Sequence, residues 1–81
     1  MQNLGPESQS MLEAVGIKSL KELQALGSVP AYARVKASGA NASLNLLWAL
    51  EGALTGLPWQ VVAREHRLSL LLALESLSSD A

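Results

Sequence analysis

The sequence predicts an all-α fold, a compact five-helix domain that begins with a helix-hairpin-helix-like unit. Three observations predict it. Of the 81 residues, 49% are hydrophobic, and these are mostly Leu and Ala, which favour helix, with few β-branched residues to favour strand. Gly16, Gly27, Gly39 and Gly56 follow apolar stripes, where a helix can end in a left-handed residue. The third observation is the stretch 43–56, SLNLLWALEGALTG. At about 100° per residue, Leu46, Leu47, Leu50, Ala53, Leu54 and Leu57 share one broad face, with Leu44 and Trp48 beyond it. The opposite side is small rather than charged: Asn45, Ala49, Gly52 and Gly56. Such a helix is expected to be buried on both sides and to sit at the centre.

The other elements read in order. Gly5-Pro6 opens a first helix over 6–15, since Pro at the first helical position loses no needed N–H, and Glu7 suits the dipole there. Met11, Leu12 and Val15 make its inward stripe, and Gly16 ends it. After Ile17-Lys18, Ser19 caps a second helix over 19–26, and Glu22 three residues on completes a capping-box pattern. Leu20, Leu23 and Leu26 point one way. Together these two helices read as a helical hairpin. Ser28 is read as the cap of a third helix over 29–38, with Val29, Tyr32 and Val35 facing in and Arg34 and Lys36 in solvent. Ser43 is read as the side-chain cap of the central helix over 43–56. Leu57-Pro58-Trp59 makes a turn with a large anchor, and one last helix runs over 61–77. Ala63, His66, Leu70, Ala73, Leu74 and Leu77 form its expected inward face.

Composition excludes several function classes. Six basic and seven acidic residues leave a net charge of −1, so the chain lacks the positive charge of a domain that holds nucleic acid by neutralising phosphates. There is no cysteine, hence no disulfide, thiol nucleophile or thiolate metal site. With one histidine, a His-based metal site is not expected either. No apolar run exceeds five residues, against roughly 20 for a membrane span, and the first residues are not a signal peptide. A cytoplasmic location, no membrane association, no metal and no cofactor are the expectations. No nucleophile–base pair stands out, so a non-enzymatic role is expected.

Three blocks carry a family resemblance. The first is NLGPESQSMLEAVGIKSLKELQALG, with its Asn3-Leu4-Gly5-Pro6 opening and Val15-Gly16-Ile17 turn. The second is VPAYARVK, from Val29 to Lys36, followed by Ser43-Leu44-Asn45-Leu46-Leu47. The third is Ala49-Leu50-Glu51-Gly52-Ala53-Leu54. In order and spacing they resemble the C-terminal domain of the TfoX/Sxy family of natural-competence regulators, over roughly residues 3–70. The resemblance implies an all-helical, non-enzymatic interaction module. It also implies a link to transcription of DNA-uptake genes in company with a cyclic-AMP receptor protein. The partner it implies is a protein, either the transcription machinery or a TfoX N-terminal domain. It supplies no site residues. Two features depart from the family pattern: the N-terminal α/β domain of full-length members is not in this chain, and Gln60-Val61-Val62-Ala63 is more apolar than usual.

Two candidate surfaces come from the residues. The hairpin turn resembles those that hold DNA phosphate through backbone N–H groups beside a helix start, which makes Gly16, Ile17, Lys18 and Lys21, with Arg34 and Lys36, candidates for a weak nucleic-acid contact. A second glycine, usual two residues after the first, is here Lys18. The other surface is the last helix, where Leu68, Leu71 and Leu72 cannot all share the face of Leu70 and Leu74, so a partner or a second copy of the chain is expected there. The remaining notable residues read as structural. Glu51 is expected to pair with a basic side chain or with N–H groups at another helix start. His66 is expected to be a hydrogen-bonded boundary residue, and Trp48 and Trp59 to pack in or beside the core.

Overall fold

The computed structural model describes residues 4–79. Six helices follow one another: α1 (Pro6–Ala14), α2 (Leu20–Leu26), α3 (Ser28–Ala37), α4 (Leu44–Thr55), α5 (Trp59–Glu65) and α6 (Arg67–Ser79). No strand occurs among the described residues. The all-α reading therefore holds, while the expected last helix is two helices. The Cα radius of gyration is 11.5 Å, as expected for a globule of this length.

Local chemistry sets the first turns. Pro6 and Glu7 occupy the first turn of α1. At its far end Ile17 N–H donates to Leu12 O at 2.9 Å and Gly16 N–H to Glu13 O at 3.1 Å. This is a Schellman closure: Gly16 takes φ +88°, and Ile17, the residue after it, is fully buried. Ser19 accepts from Glu22 N–H at 3.2 Å and so caps α2. The Glu22 carboxylate in turn accepts from Lys18 N–H at 3.2 Å, one residue earlier than in the usual box.

A single residue, Gly27, serves both α2 and α3. Its N–H closes α2 on Leu23 O at 2.7 Å and its carbonyl accepts from Ala31 N–H at 3.1 Å to open α3. The backbone there, φ +94° and ψ 158°, is accessible at low cost to glycine alone. Ser28 therefore lies inside α3 and does not cap it, contrary to the sequence reading. Its hydroxyl is buried, 5% exposed, and donates to Glu51 Oε1 at 2.8 Å. The partner of Glu51 is thus a side-chain hydroxyl in the first turn of α3, neither a cation nor a backbone N–H. Ser43 also differs from expectation: it is the N-cap of α4 by backbone geometry, with no side-chain capping bond.

Helices α3 and α4 pack together at the centre. On α4, Leu46, Leu47, Trp48, Ala49, Leu50, Gly52 and Ala53 are all buried, so both the leucine face and part of the small face are covered. Helices α2 and α5 lie against α4, and α1, α2 and α6 against α3. Helices α1 and α2 each rest mainly on the central helices rather than along one another. The expected helix-hairpin-helix-like start is not confirmed: α1 and α2 are joined by a tight turn, and their larger contacts are with α3 and α4.

The division at His66 has a packing cause. Val62, fully buried, belongs to α5, which covers α4. Leu70, also buried, belongs to α6, which covers α3. A single residue with φ −113° and ψ 4° lets the chain change from one surface to the other. The bonds His66 N–H to Val62 O at 2.9 Å and Leu70 N–H to His66 O at 3.0 Å persist on either side. Of the expected inward face, Leu70 is buried, and Ala63, His66 and Leu74 are half-buried. Ala73 and Leu77 are exposed, which corrects the sequence reading: α6 lies on the outside and covers α3 with a narrow stripe. The His66 imidazole sits at the boundary as expected but has no hydrogen bond among the described residues.

Two outcomes are expected from this core. Glu51→Ala strands the buried Ser28 hydroxyl and should cost about 1–3 kcal/mol. Thermal unfolding should report it as a Tm fall of roughly 4–8 °C per kcal/mol, while Glu51→Gln, which keeps an acceptor, should lose less. The second concerns Tyr32, whose burial pushes its phenol above the ordinary value near 10. A raised folded pKa means that this contribution to stability is complete below the unfolded value of about 10 and is lost as pH rises through the folded one. Urea unfolding should therefore show stability falling on the alkaline side, and Tyr32→Phe should remove part of that fall.

Candidate functional site

The structure brings three of the six residues of the candidate nucleic-acid contact to one groove and engages Lys36 elsewhere. Gly16, Ile17 and Arg34 line one shallow groove together with Glu22, Ala25 and Leu26, about 260 Å³ in volume. Lys36 lies two residues beyond Arg34 on α3, about 200° round the helix. Its ammonium donates to Ala42 O at 3.3 Å, on the connection between α3 and α4. Lys18 precedes α2 and Lys21 is in its first turn, both exposed. Ile17 has its side chain in the core, so only its backbone could face a ligand.

That backbone is already engaged. The N–H groups of Val15, Gly16 and Ile17 donate to carbonyls of α1. The N–H of Lys18 donates to the Glu22 carboxylate, and the N–H of Glu22 to Ser19. A phosphate held here would have to displace an internal carboxylate from the place an anion would take. The shallow groove carries one cation, Arg34, and one anion, Glu22, so its charge is balanced.

A larger open groove of about 320 Å³ runs between α1, the start of α4 and the start of α5. Glu7, Ser8 and Met11 form one wall, and Asn45, Leu46 and Ala49 another, with Trp59 at the end. Trp59 opens α5 and is 38% exposed, whereas Trp48 is buried. No basic side chain lines this groove, so it is not a phosphate cradle. Among the described residues no three His, Cys, Asp or Glu side chains come together as a metal site would require. No helix among them is long and apolar enough to cross a membrane.

The last candidate surface is on α6. Leu68 is 72% exposed and Leu72 57% exposed, the two highest values among the large apolar side chains. They stand at i and i+4, one above the other on the helix. Leu71, expected beside them, is half-buried and packs against the core. The pair is flanked in sequence by exposed charges: Arg64, Glu65 and Arg67 before it, Glu75 after it. Arg64 and Glu65 approach to 4.0 Å in a solvent-exposed pair. Periodicity could place Leu68 and Leu72 off the inward stripe, but the break at His66 lies in a run, Arg64-Glu65-His66-Arg67, that contains no helix breaker.

No curated protein and no solved structure matches the chain. The TfoX C-terminal domain matches it over residues 1–74, which takes in every helix but the end of α6. The chain belongs to the TfoX C-terminal domain family.

Proposed function

We propose that the chain is a non-enzymatic interaction module that acts by protein–protein contact in transcription regulation of DNA uptake, in the cytoplasm, with α6 as its contact face. One observation carries the choice of face: Leu68 and Leu72 stand uncovered side by side on the outermost helix, where burying them on a partner removes apolar surface from water. Two further observations support protein contact over DNA. The turn between α1 and α2 satisfies its own N–H groups, one of them on a carboxylate. The basic residues are dispersed, with Arg34 and Lys36 on different sides of α3 and the net charge at −1. Family membership supports the regulatory setting. The partner of the proposal is the transcription machinery or a TfoX N-terminal domain.

The alternative, direct DNA binding through Lys18, Lys21, Arg34 and Lys36, predicts the opposite mutational pattern. Cells lacking the chromosomal copy are complemented with wild-type protein, with Leu68→Glu/Leu72→Glu, or with Lys18→Ala/Lys21→Ala, and DNA-uptake transcripts are measured. The leucine variant should lose the response, with its circular dichroism unchanged because both side chains are exposed. The lysine variant should keep it, and a gel shift at low salt should show no duplex retention. Loss with the lysine variant, together with retained duplex in the gel shift, would overturn the protein-contact reading.

A further inference from the structure

The open groove between α1 and the starts of α4 and α5 joins apolar surface to polar side chains that the fold leaves unused. Buried Ala42, Leu46 and Ala49 line it, with half-buried Met11 beside them and exposed Trp59 at one end. At about 320 Å³ it reaches the low end of the roughly 300–1,000 Å³ of ligand clefts. Its polar side chains are Glu7 and Ser8 from α1, Asn41 and Ser43 from the connection, and Asn45 from α4. Among the described residues none of these makes a side-chain hydrogen bond or ion pair, and Ser43 caps α4 without a side-chain bond. In the smaller groove, by contrast, the Glu22 carboxylate is spent on Lys18 N–H.

The charge of the larger groove is one-sided. Glu7 is the only charged side chain lining it, and Lys36, which donates to Ala42 O, does not line it. A carboxylate beside apolar surface and an accessible indole suits a cation with a flat, weakly hydrated head and an aliphatic stem. An arginine side chain has that shape. Its guanidinium meets a carboxylate through two N–H groups and lies on aromatic faces, where an ammonium stays hydrated. The neutral groups suit the chain that would carry it. Asn amides and Ser hydroxyls both donate and accept, which matches the N–H and C=O groups of a peptide.

We propose that this groove takes an extended segment of a partner protein. An arginine of the segment pairs with Glu7, its apolar neighbours cover Met11 and Trp59, and its backbone bonds to Asn41 and Asn45. The contact is separate from the α6 face. It rests on one exposed ion pair, so the dissociation constant is on the order of 1 mM and rises with salt.

Proton–nitrogen NMR titration of the full chain at low salt tests this with blocked peptides. The probes are acetyl-Ala-Leu-Arg-Leu-Ala-amide, the same pentapeptide with Glu in place of Arg, and acetyl-Arg-amide. The arginine pentapeptide should shift the Trp59 indole N–H and the Asn41 and Asn45 side-chain amides, and leave the buried Trp48 indole in place. Glu7→Gln should weaken its binding about 2- to 5-fold. Glu7→Arg should lose it and take up the glutamate pentapeptide instead, with helical circular dichroism retained because Glu7 is exposed. Leu68→Glu/Leu72→Glu should bind as the wild type does. No shift up to about 10 mM, or an equal response to the arginine and glutamate pentapeptides, overturns the proposal. So does unchanged binding by either Glu7 variant. Acetyl-Arg-amide that binds as tightly as the pentapeptide overturns the protein segment in favour of a small cation. Loss of binding in the leucine variant overturns the placement in this groove.

Discussion

Burial of α4 on two opposite sides is the constraint from which the remaining architecture follows. Its leucine face carries Leu46, Leu47 and Leu50, and its small face Ala49 and Gly52, and all of these are buried. One covering helix cannot reach both sides. Helices α2 and α3, before it in the chain, lie on it, and α5, after it, lies on it again. To bring α5 back, the chain must reverse within a few residues. Gly56 in the left-handed conformation and the following Pro58 allow that reversal. The bond from Ser28 to Glu51 ties α3 to α4 inside the same packing, at 2.8 Å. It places a carboxylate oxygen opposite a donor that would otherwise be buried without one.

Helix α6 is a consequence of that arrangement. With α5 used on α4, the uncovered apolar surface that remains within reach is on α3. The chain changes surface at His66, at the cost of one non-helical residue. Helix α6 then forms the outer layer over a helix that α1, α2 and α4 already touch. Leu70 fills what is left, and Leu71 and Leu74 pack partly. No element of the described chain covers the other side of α6, which is why Leu68 and Leu72 are the most exposed large apolar side chains.

Much of this was legible in the sequence because it depends on local chemistry or on period. Pro6, Ser19 with Glu22, and the turn glycines mark helix ends by their own backbone requirements. The stripe on residues 43–56 gives the central helix from spacing alone. What was not legible depends on tertiary choice. Ser28 and Ser43 look like equal capping residues, yet neither side chain caps. Gly27 took the capping position before Ser28 with a backbone that serine could not adopt cheaply, and Glu51, twenty-three residues away, then took the hydroxyl. The break at His66 carries no glycine or proline signal. It is decided by which surface lacks cover, and a periodic reading cannot see that. The same limit explains why Leu71 was grouped with Leu68 and Leu72. The three are close in sequence, and only the direction of α3 separates the half-buried one from the exposed two.

The position of the proposed contact face also separates folding from binding. The fully buried side chains Leu12, Ile17, Leu23, Val35, Leu47, Leu50 and Val62 all lie before α6. Helix α6 joins the core chiefly through Leu70, with Leu71 and Leu74 beside it. Replacing Leu68 or Leu72 opens no cavity and strands no polar group, the usual routes to large destabilisation. Their substitution therefore acts on what meets the surface and leaves the fold in place. The turn between α1 and α2 is different. Ile17 is in the core and Gly16 closes α1 in the left-handed region, so a change at either alters stability and any contact together. A surface whose side chains can vary without disturbing the fold can evolve toward a partner. On this molecule that condition is met by Leu68 and Leu72 on the outer face of α6, and it is not met by Gly16 and Ile17 at the turn.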